Sequence, residues 1–363
     1  MAAEPPGAEK HDFPCQACGA TLAFQPGTEH LVCGYCGHAQ QIGSQDEKPI
    51  QEYSFEEAKK GARKQSARAL VDEGSTVSCT GCGAITVVSG TAARCSFCDS
   101  PVVLKQDESE IFLPESLLPF GIDAKRAKLI FSDWVKSRWF APNDLALRAQ
   151  AKGMDGVYLP YWTYDADTQT SYTGQRGVWY YVDETYTDSQ GKRQTRKVRK
   201  TRWYPAFGSV RVPFDDVLVA ATKSLPRPML EGLEPWDLAA LKPYDRGFLA
   251  GFSAEKYAFD LEGGFSIAQD RMNPAIRAAI CRDIGGDEQL IHTMRVTYRG
   301  VTFKHLLLPL WISSFRYGEK VYRFIVNART GESTGERPYS AIKIALAVIA
   351  GIVLAIVLYR LSQ

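Results

Sequence analysis

Cys15-Gln-Ala-Cys18, fourteen residues beginning with Gly19, then Cys33-Gly-Tyr-Cys36-Gly37 is the stretch that decides how the N-terminal part of this chain folds. The pattern returns as Cys79-Thr-Gly-Cys82, twelve residues beginning with Gly83, then Cys95-Ser-Phe-Cys98-Asp99. A Cys-x-x-Cys spacing puts two sulfurs on one tight turn, within reach of the same tetrahedral ion at about 2.3 Å. The residue after each second cysteine sits where such a turn tends to need positive φ, and it is glycine at 19, 37 and 83. Asp99 fills the fourth place, and Asp tolerates the left-handed region better than most residues.

Two zinc ribbons are therefore predicted, over 11–45 and 75–105. Cys15, Cys18, Cys33 and Cys36 would hold one Zn²⁺, and Cys79, Cys82, Cys95 and Cys98 the other. Four ligands close the coordination sphere, which argues for structural rather than catalytic zinc. Thr21–Phe24, Leu31–Val32 and Ile85–Val88 read as short strands, too little to build a core, so the metal is expected to supply folding energy. Eight of the nine cysteines fall in these pairs and Cys281 stands alone, which points to metal and a reducing compartment rather than to disulfides. Residues 1–10 have no apolar core and read as a flexible lead-in, not a signal peptide.

Between the ribbons, Ser54-Phe-Glu-Glu57 has the form of a capping box, and Gly74 is a plausible stop. Lys59, Lys60, Arg63, Lys64 and Arg68 would make the helix within 46–74 basic, as a solvated spacer or as a contact for phosphates or anionic lipid.

From Ala341 to Leu358 the chain is apolar apart from Lys343, with Tyr359 and Arg360 following. Eighteen helical residues span about 27 Å, close to the hydrocarbon thickness of a bilayer. A transmembrane helix is predicted over 341–361, with Lys343 and Arg360 snorkelling to the two surfaces. Without a signal peptide and with few residues beyond Tyr359, the expected topology is single-pass in the cytoplasmic (inner) membrane, the bulk in the cytoplasm. Ala347, Gly351 and Ala355 form a small-residue ladder on one face, suited to helix–helix packing and to a homo-oligomer.

Residues 106–340 read as one α+β domain, mainly antiparallel. Helices are predicted at 123–138 and 265–282, with another starting at Asn143 or Asp144. Strands are predicted at 157–164 and 172–182, and Ser189-Gln-Gly191 marks a hairpin turn returning through 197–204. Leu159-Pro-Tyr-Trp162 and Leu308-Pro-Leu-Trp311 hint at two related halves, a repeat around 157–182 and 306–326. A proline inside a strand marks an edge or a bulge. Trp134, Trp139, Trp162, Trp179 and Trp311 read as core anchors. The return strand carries Lys192, Arg193, Arg196, Lys197, Arg199, Lys200 and Arg202, seven basic residues in eleven. An edge strand protected by charge, a contact for anionic lipid and a nucleic-acid site all fit that run.

The totals exclude little: 45% hydrophobic and 23% charged residues are ordinary for a folded chain, and the formal net charge is +2. No G-x-x-x-x-G-K-[ST], H-E-x-x-H or G-x-S-x-G occurs, and Cys281, His292 and His305 carry no catalytic signature, so no enzyme activity is expected.

The cysteine motifs, together with Leu118-Pro-Phe120, Trp139-Phe-Ala-Pro-Asn-Asp-Leu145, Val157-Tyr-Leu-Pro-Tyr-Trp162 and Val326-Asn-Ala-Arg-Thr-Gly-Glu332, resemble bacterial TFIIB-type zinc-ribbon membrane proteins. These are often labelled primosomal protein N′, a superfamily II helicase. The resemblance covers most of the chain, but the helicase motor is missing, so helicase activity does not carry over. It implies a membrane-stress setting with PspA-like or SPFH-type protein partners. The function expected is a non-enzymatic adaptor recruiting cytosolic proteins to a membrane; the alternative is nucleic-acid binding at the membrane.

Overall fold

Three very long strands organise the molecule. In the computed structural model, which describes residues 13–43, 49–60, 65–66, 75–88, 94–100, 102–104, 110–145, 153–187 and 189–362, the chain runs out along Asp155–Thr187. It returns along Arg193–Ala220 and makes a third pass along Glu288–Tyr317. The outgoing strand lies in the middle, antiparallel to both others. Its 33 residues follow roughly 100 Å of path at about 3.3 Å each. The hairpin closes at the expected turn, with Thr187 opposite Arg193 and Gly191 at φ 78°.

Alternation keeps this blade in register. Ala166, Thr168, Thr170, Tyr172 and Gly174 are buried, while the residues between them face solvent wholly or in part. The helix Leu261–Ile284 covers the buried face with Ala268, Met272, Ile276, Ile280 and Ile284, one residue every fourth position. Gly264 lets the helix approach, because a Cβ there would run into Tyr164 and Trp162. At 24 residues the helix is about 36 Å long. Pairing with the third strand ends at Gly177, opposite Glu288, and beyond it a two-stranded hairpin projects alone.

The order short strand, helix, long strand, return strand occurs twice. The first set is Ser116–Leu117, Ala124–Lys136, Asp155–Thr187 and Arg193–Ala220; the second is Ser253–Glu255, Leu261–Ile284, Glu288–Tyr317 and Lys320–Asn327. The long strands pair with Leu159 opposite Leu308, so the two Leu-Pro-x-Trp runs meet antiparallel. Each short strand pairs in parallel with the other set's long strand, Leu117 with Leu307 and Ala254 with Tyr158. Pro160 and Pro309 lie not on an edge of the sheet but in its two central strands. Each occupies the gap between the end of a return strand and the start of a short parallel strand, so its missing N–H removes no ladder bond. The carbonyls still accept, from Ala221 N at 2.9 Å and from Ala328 N at 3.1 Å.

Neither cysteine-rich unit stands apart from this base. The first is a three-stranded sheet, Leu22–Phe24, His30–Cys33 and Ala39–Gln41, whose Leu22, Phe24, Leu31 and Ile42 join the core beside Phe248, Leu249 and Ala250. Phe24 N donates to Ala250 O at 3.0 Å, and the Phe24 and Phe248 rings meet edge to face at 5.2 Å. The second unit is built into the main sheet: Ile85–Val88 pairs with Ser253–Glu255 on one side and with Ser75–Cys79 on the other.

The segment between them departs from expectation. Ser54 caps a helix as its motif requires, accepting from Glu57 N, but the helix covers only Phe55–Lys59. Gln65–Ser66 is extended and pairs with Glu110–Ile111, so the helix that Ser54 caps does not continue through those two residues. Arg63, Lys64, Arg68 and residues 1–10 lie outside the described residues, as does 146–150, where another helix was expected after Asp144. The helices expected at 123–138 and 265–282 are Ala124–Lys136 and Leu261–Ile284. The strands expected at 157–164 and 172–182 are parts of one strand. Trp134, Trp162 and Trp311 are core residues, but Trp139 is 82% exposed and Trp179 37% exposed, and neither is an anchor. Trp139 lies in the loop after its helix, and Trp179 lies past the point where the helix stops covering the blade.

Candidate metal centres and the basic hairpin tip

Four turns of the same design present the eight cysteines. The amides of Gly19, Gly37, Gly83 and Asp99 donate back to Cys15, Cys33, Cys79 and Cys95 carbonyls at 2.8, 3.0, 3.0 and 2.9 Å. The φ values at those four positions are 72°, 75°, 76° and 60°. The turn needs left-handed backbone there, as the spacing predicts. Arg94 supports the non-glycine case, its guanidinium donating to Asp99 O at 3.0 Å and pairing with the carboxylate at 3.3 Å.

The sulfurs converge. Cys15 to Cys36 is 3.5 Å and Cys18 to Cys33 is 3.6 Å; Cys79 to Cys98 is 3.3 Å and Cys82 to Cys95 is 3.7 Å. In each set all four sulfurs lie within 4.8 Å of one another. A tetrahedral ion with bonds of about 2.3 Å needs sulfurs about 3.8 Å apart, so the donor set fits a metal ion in both places. No disulfide links them.

One thiol in each set is held toward ionisation while its neighbours are pushed up. Amides of Cys36 and Tyr35 aimed at its sulfur hold Cys33 down at about 6. The Cys82 thiol beside it holds Cys95 down at about 5, while sharing a hydrogen with Cys95 drives Cys82 up. Sulfurs this close must share protons among themselves, and a cation replaces those protons. The two sites differ in depth. Cys18 and Cys36 are exposed in the first, whereas Cys79, Cys95 and Cys98 are all buried in the second.

Among the described residues, the one other cluster of three ligating side chains is Asp165, Asp215 and Asp216. It surrounds a buried lysine: Lys304 Nζ lies 2.7 Å from Asp216 and 3.0 Å from Glu52, and Thr302 donates to Asp165 at 2.7 Å. Cys281 is half-buried on the helix Leu261–Ile284. His305 is 4% exposed, with Nδ1 2.8 Å from Phe112 O.

Lys192, Arg193, Arg196, Lys197, Arg199, Lys200 and Arg202 are all exposed, at the turn and along the return strand of the two-stranded tip. One carboxylate and three rings answer part of their charge across the hairpin. Glu184 pairs with Lys200 at 3.1 Å and Arg196 at 3.8 Å, while Arg199, Arg202 and Arg196 lie over Trp179, Tyr180 and Tyr186 at 4.0, 5.0 and 5.3 Å. The aromatic partners were the part missed from the sequence. Strand alternation puts Trp179 on one face with Arg199 and Tyr180 on the other with Arg202, each arginine lying two residues from the one directly opposite, Thr201 or Lys200, and so on the same face as its ring.

The helix Ala341–Leu361 is 21 residues long, with a mean hydropathy of 2.8 over its most apolar 18 residues and no buried residue, so it is long and apolar enough to cross a membrane. Ala347, Gly351 and Ala355 are exposed along it. Its first turn is pinned to the domain, with Ser340 N donating to Phe140 O at 2.8 Å. Lys343 Nζ donates to Ala141 O at 2.7 Å, so this lysine is held by protein instead of snorkelling freely.

No family model matches the chain, and no solved structure matches it. It is 26% identical over 336 residues to a Bacillus subtilis (strain 168) protein described as uncharacterized protein YdjG, an alignment covering 92% of each chain.

Proposed function

We propose that this chain is a non-enzymatic adaptor that binds two structural Zn²⁺ ions and is held at a membrane by residues 341–361. The observation that carries this reading is the tail helix: 21 residues, apolar on every side and 0% buried, which in water would be a large uncovered apolar surface. The four-thiolate sets leave no open coordination position, which favours structural metal, and thiolate-only ligation favours zinc. A single-pass protein of the cytoplasmic (inner) membrane, its bulk in the cytoplasm, keeps those thiolates in a reducing compartment. We place it with the bacterial TFIIB-type zinc-ribbon membrane proteins, and its partners would be PspA-like or SPFH-type proteins in membrane stress. The projecting hairpin supplies reach: its tip lies tens of ångströms beyond the last helix-covered residue.

Flotation and alkaline extraction of the full chain, with protease protection of the N-terminal side, test the anchor. Affinity purification of the full chain from detergent-solubilised cells tests the adaptor role. A chain that is washed from vesicles at high pH, or one that recovers no reproducible protein partner, would defeat the corresponding half of this reading.

A second reading, nucleic-acid binding at the membrane, is favoured by the arginines stacked on Trp179 and Tyr180. Cations alternating with aromatic rings suit a strand of bases. It requires binding that weakens steeply with salt. Neutralising Arg196, Lys197, Arg199 and Lys200 must abolish that binding, or the tip is not the site.

A further inference from the structure

The tail helix leaves the domain beside two arginines that the zinc sites and the blade do not use. Arg138 follows the helix Ala124–Lys136, and its guanidinium lies over the Trp134 ring at 5.1 Å. Its Nε is buried without a hydrogen-bond partner. Arg337 lies over Tyr339 at 5.2 Å, three residues before Ser340, the cap of the tail helix. Both line an open pocket of about 460 Å³ with Trp134, Ser333, Glu336 and Tyr339. Glu336 is the one carboxylate there, and it accepts from Arg323 N at 3.2 Å; neither arginine is within ion-pair distance of it. The pocket therefore keeps a net positive charge and has unused guanidinium donors.

Its position says what would fill it. The bonds from Ser340 to Phe140 and from Lys343 to Ala141 hold the first helical turn against the loop that carries Arg138 and Trp139. Trp139 is 82% exposed and Tyr339 is 64% exposed. Exposed Trp and Tyr at the start of an apolar helix are the residues of a membrane interface, the level at which lipid phosphates lie. Paired guanidinium groups suit phosphate oxygens. Resting on the reading that residues 341–361 cross a bilayer, we propose that Arg138 and Arg337 bind the phosphate of an anionic phospholipid, with Trp139 and Tyr339 seated in the interface around it.

The test uses the full chain in detergent, loaded with phosphatidylglycerol or phosphatidylcholine, with lipid retention read by native mass spectrometry. Phosphatidylglycerol should be retained in preference, and Arg138→Gln and Arg337→Gln should each lower that preference, the double variant losing it. Arg337→Gln alone keeps the test decisive should Arg138→Gln fold poorly, since the Arg337 guanidinium lies over an exposed ring, whereas Arg138 has a buried Nε. Equal retention of both lipids by the unaltered chain would overturn the proposal, as would an unchanged preference in Arg337→Gln. Inorganic phosphate is the third arm: if it displaces the lipid mole for mole, the pocket recognises phosphate and not a lipid, and the assignment fails. Flotation of the same preparations separates the outcomes. A chain that inserts without lipid preference defeats this inference alone, whereas one that does not insert defeats the anchor reading.

Discussion

Trp162 and Trp311 do the same work in the two halves of the molecule. Each indole N–H donates to the carbonyl just before a helix N-cap, Trp162 to Phe259 O at 3.1 Å and Trp311 to Ile122 O at 2.7 Å. The caps are equivalent too: Asp260 accepts from Gly263 N at 2.8 Å and Asp123 from Arg126 N at 2.7 Å. Each tryptophan thus fixes where the other half's helix begins relative to its own long strand. Trp162→Phe or Trp311→Phe leaves a carbonyl without its donor and should cost about 1–3 kcal/mol. Asp123→Ala or Asp260→Ala should cost about 1 kcal/mol through the lost cap. Denaturant titration of the variants measures both, and a neutral Trp311→Phe would show that the bond does not set the helix.

Metal loss should be felt differently at the two sites. Cys36→Ser, at an exposed cysteine of a separate small sheet, should remove one equivalent of bound metal with a local loss of protection. Cys95→Ser should also remove one equivalent, but it releases strands belonging to the main sheet, so its fall in melting temperature should be the larger. Elemental analysis and hydrogen exchange distinguish the two. Lowering the pH should release metal from both sites, because protons compete for the sulfurs.

The knuckle glycines permit a clean backbone experiment. A Cβ at Gly19, Gly37 or Gly83 meets no atom within 4 Å, so Gly83→Ala changes only the cost of left-handed φ, about 1–2 kcal/mol. Asp99→Gly relieves that cost and loses an ion pair with Arg94 worth up to about 1 kcal/mol, so it should be close to neutral. Thermal unfolding of the metal-loaded variants gives both values; an Asp99→Gly loss as large as that of Gly83→Ala would mean the carboxylate matters more than the backbone.

Burial holds His305 down at about 4, against about 6.5 when unfolded. Between those values the unfolded chain takes up the proton and the folded chain does not, so stability is fully present above about pH 6.5 and falls as the pH drops toward 4. The difference corresponds to about 3 kcal/mol. His305→Gln should flatten this part of the profile, seen as a smaller change in denaturation midpoint between pH 7 and pH 4.5. An unaltered slope would assign the acid sensitivity to other groups.

The metal-binding turns and the tail were readable from residue order because both are local. A Cys-x-x-Cys-Gly turn closes within five residues, and a run of apolar residues from Ile344 to Leu358 needs no neighbour to be recognised. Ser54 is the same kind of signal: its cap formed as read, but nothing local told where that helix would end. Gln65–Ser66 is held straight by Glu110–Ile111, which lie far along the chain. The blade shows the same division. Asp165 to Ser171 carries too few apolar residues to read as strand, yet it is strand, because it has a bonded neighbour on both sides. Trp139 and Trp179 resemble Trp162 and Trp311 in composition alone. Whether a tryptophan is buried depends on what lies over it, and a helix that stops at Ile284 leaves Trp179 bare.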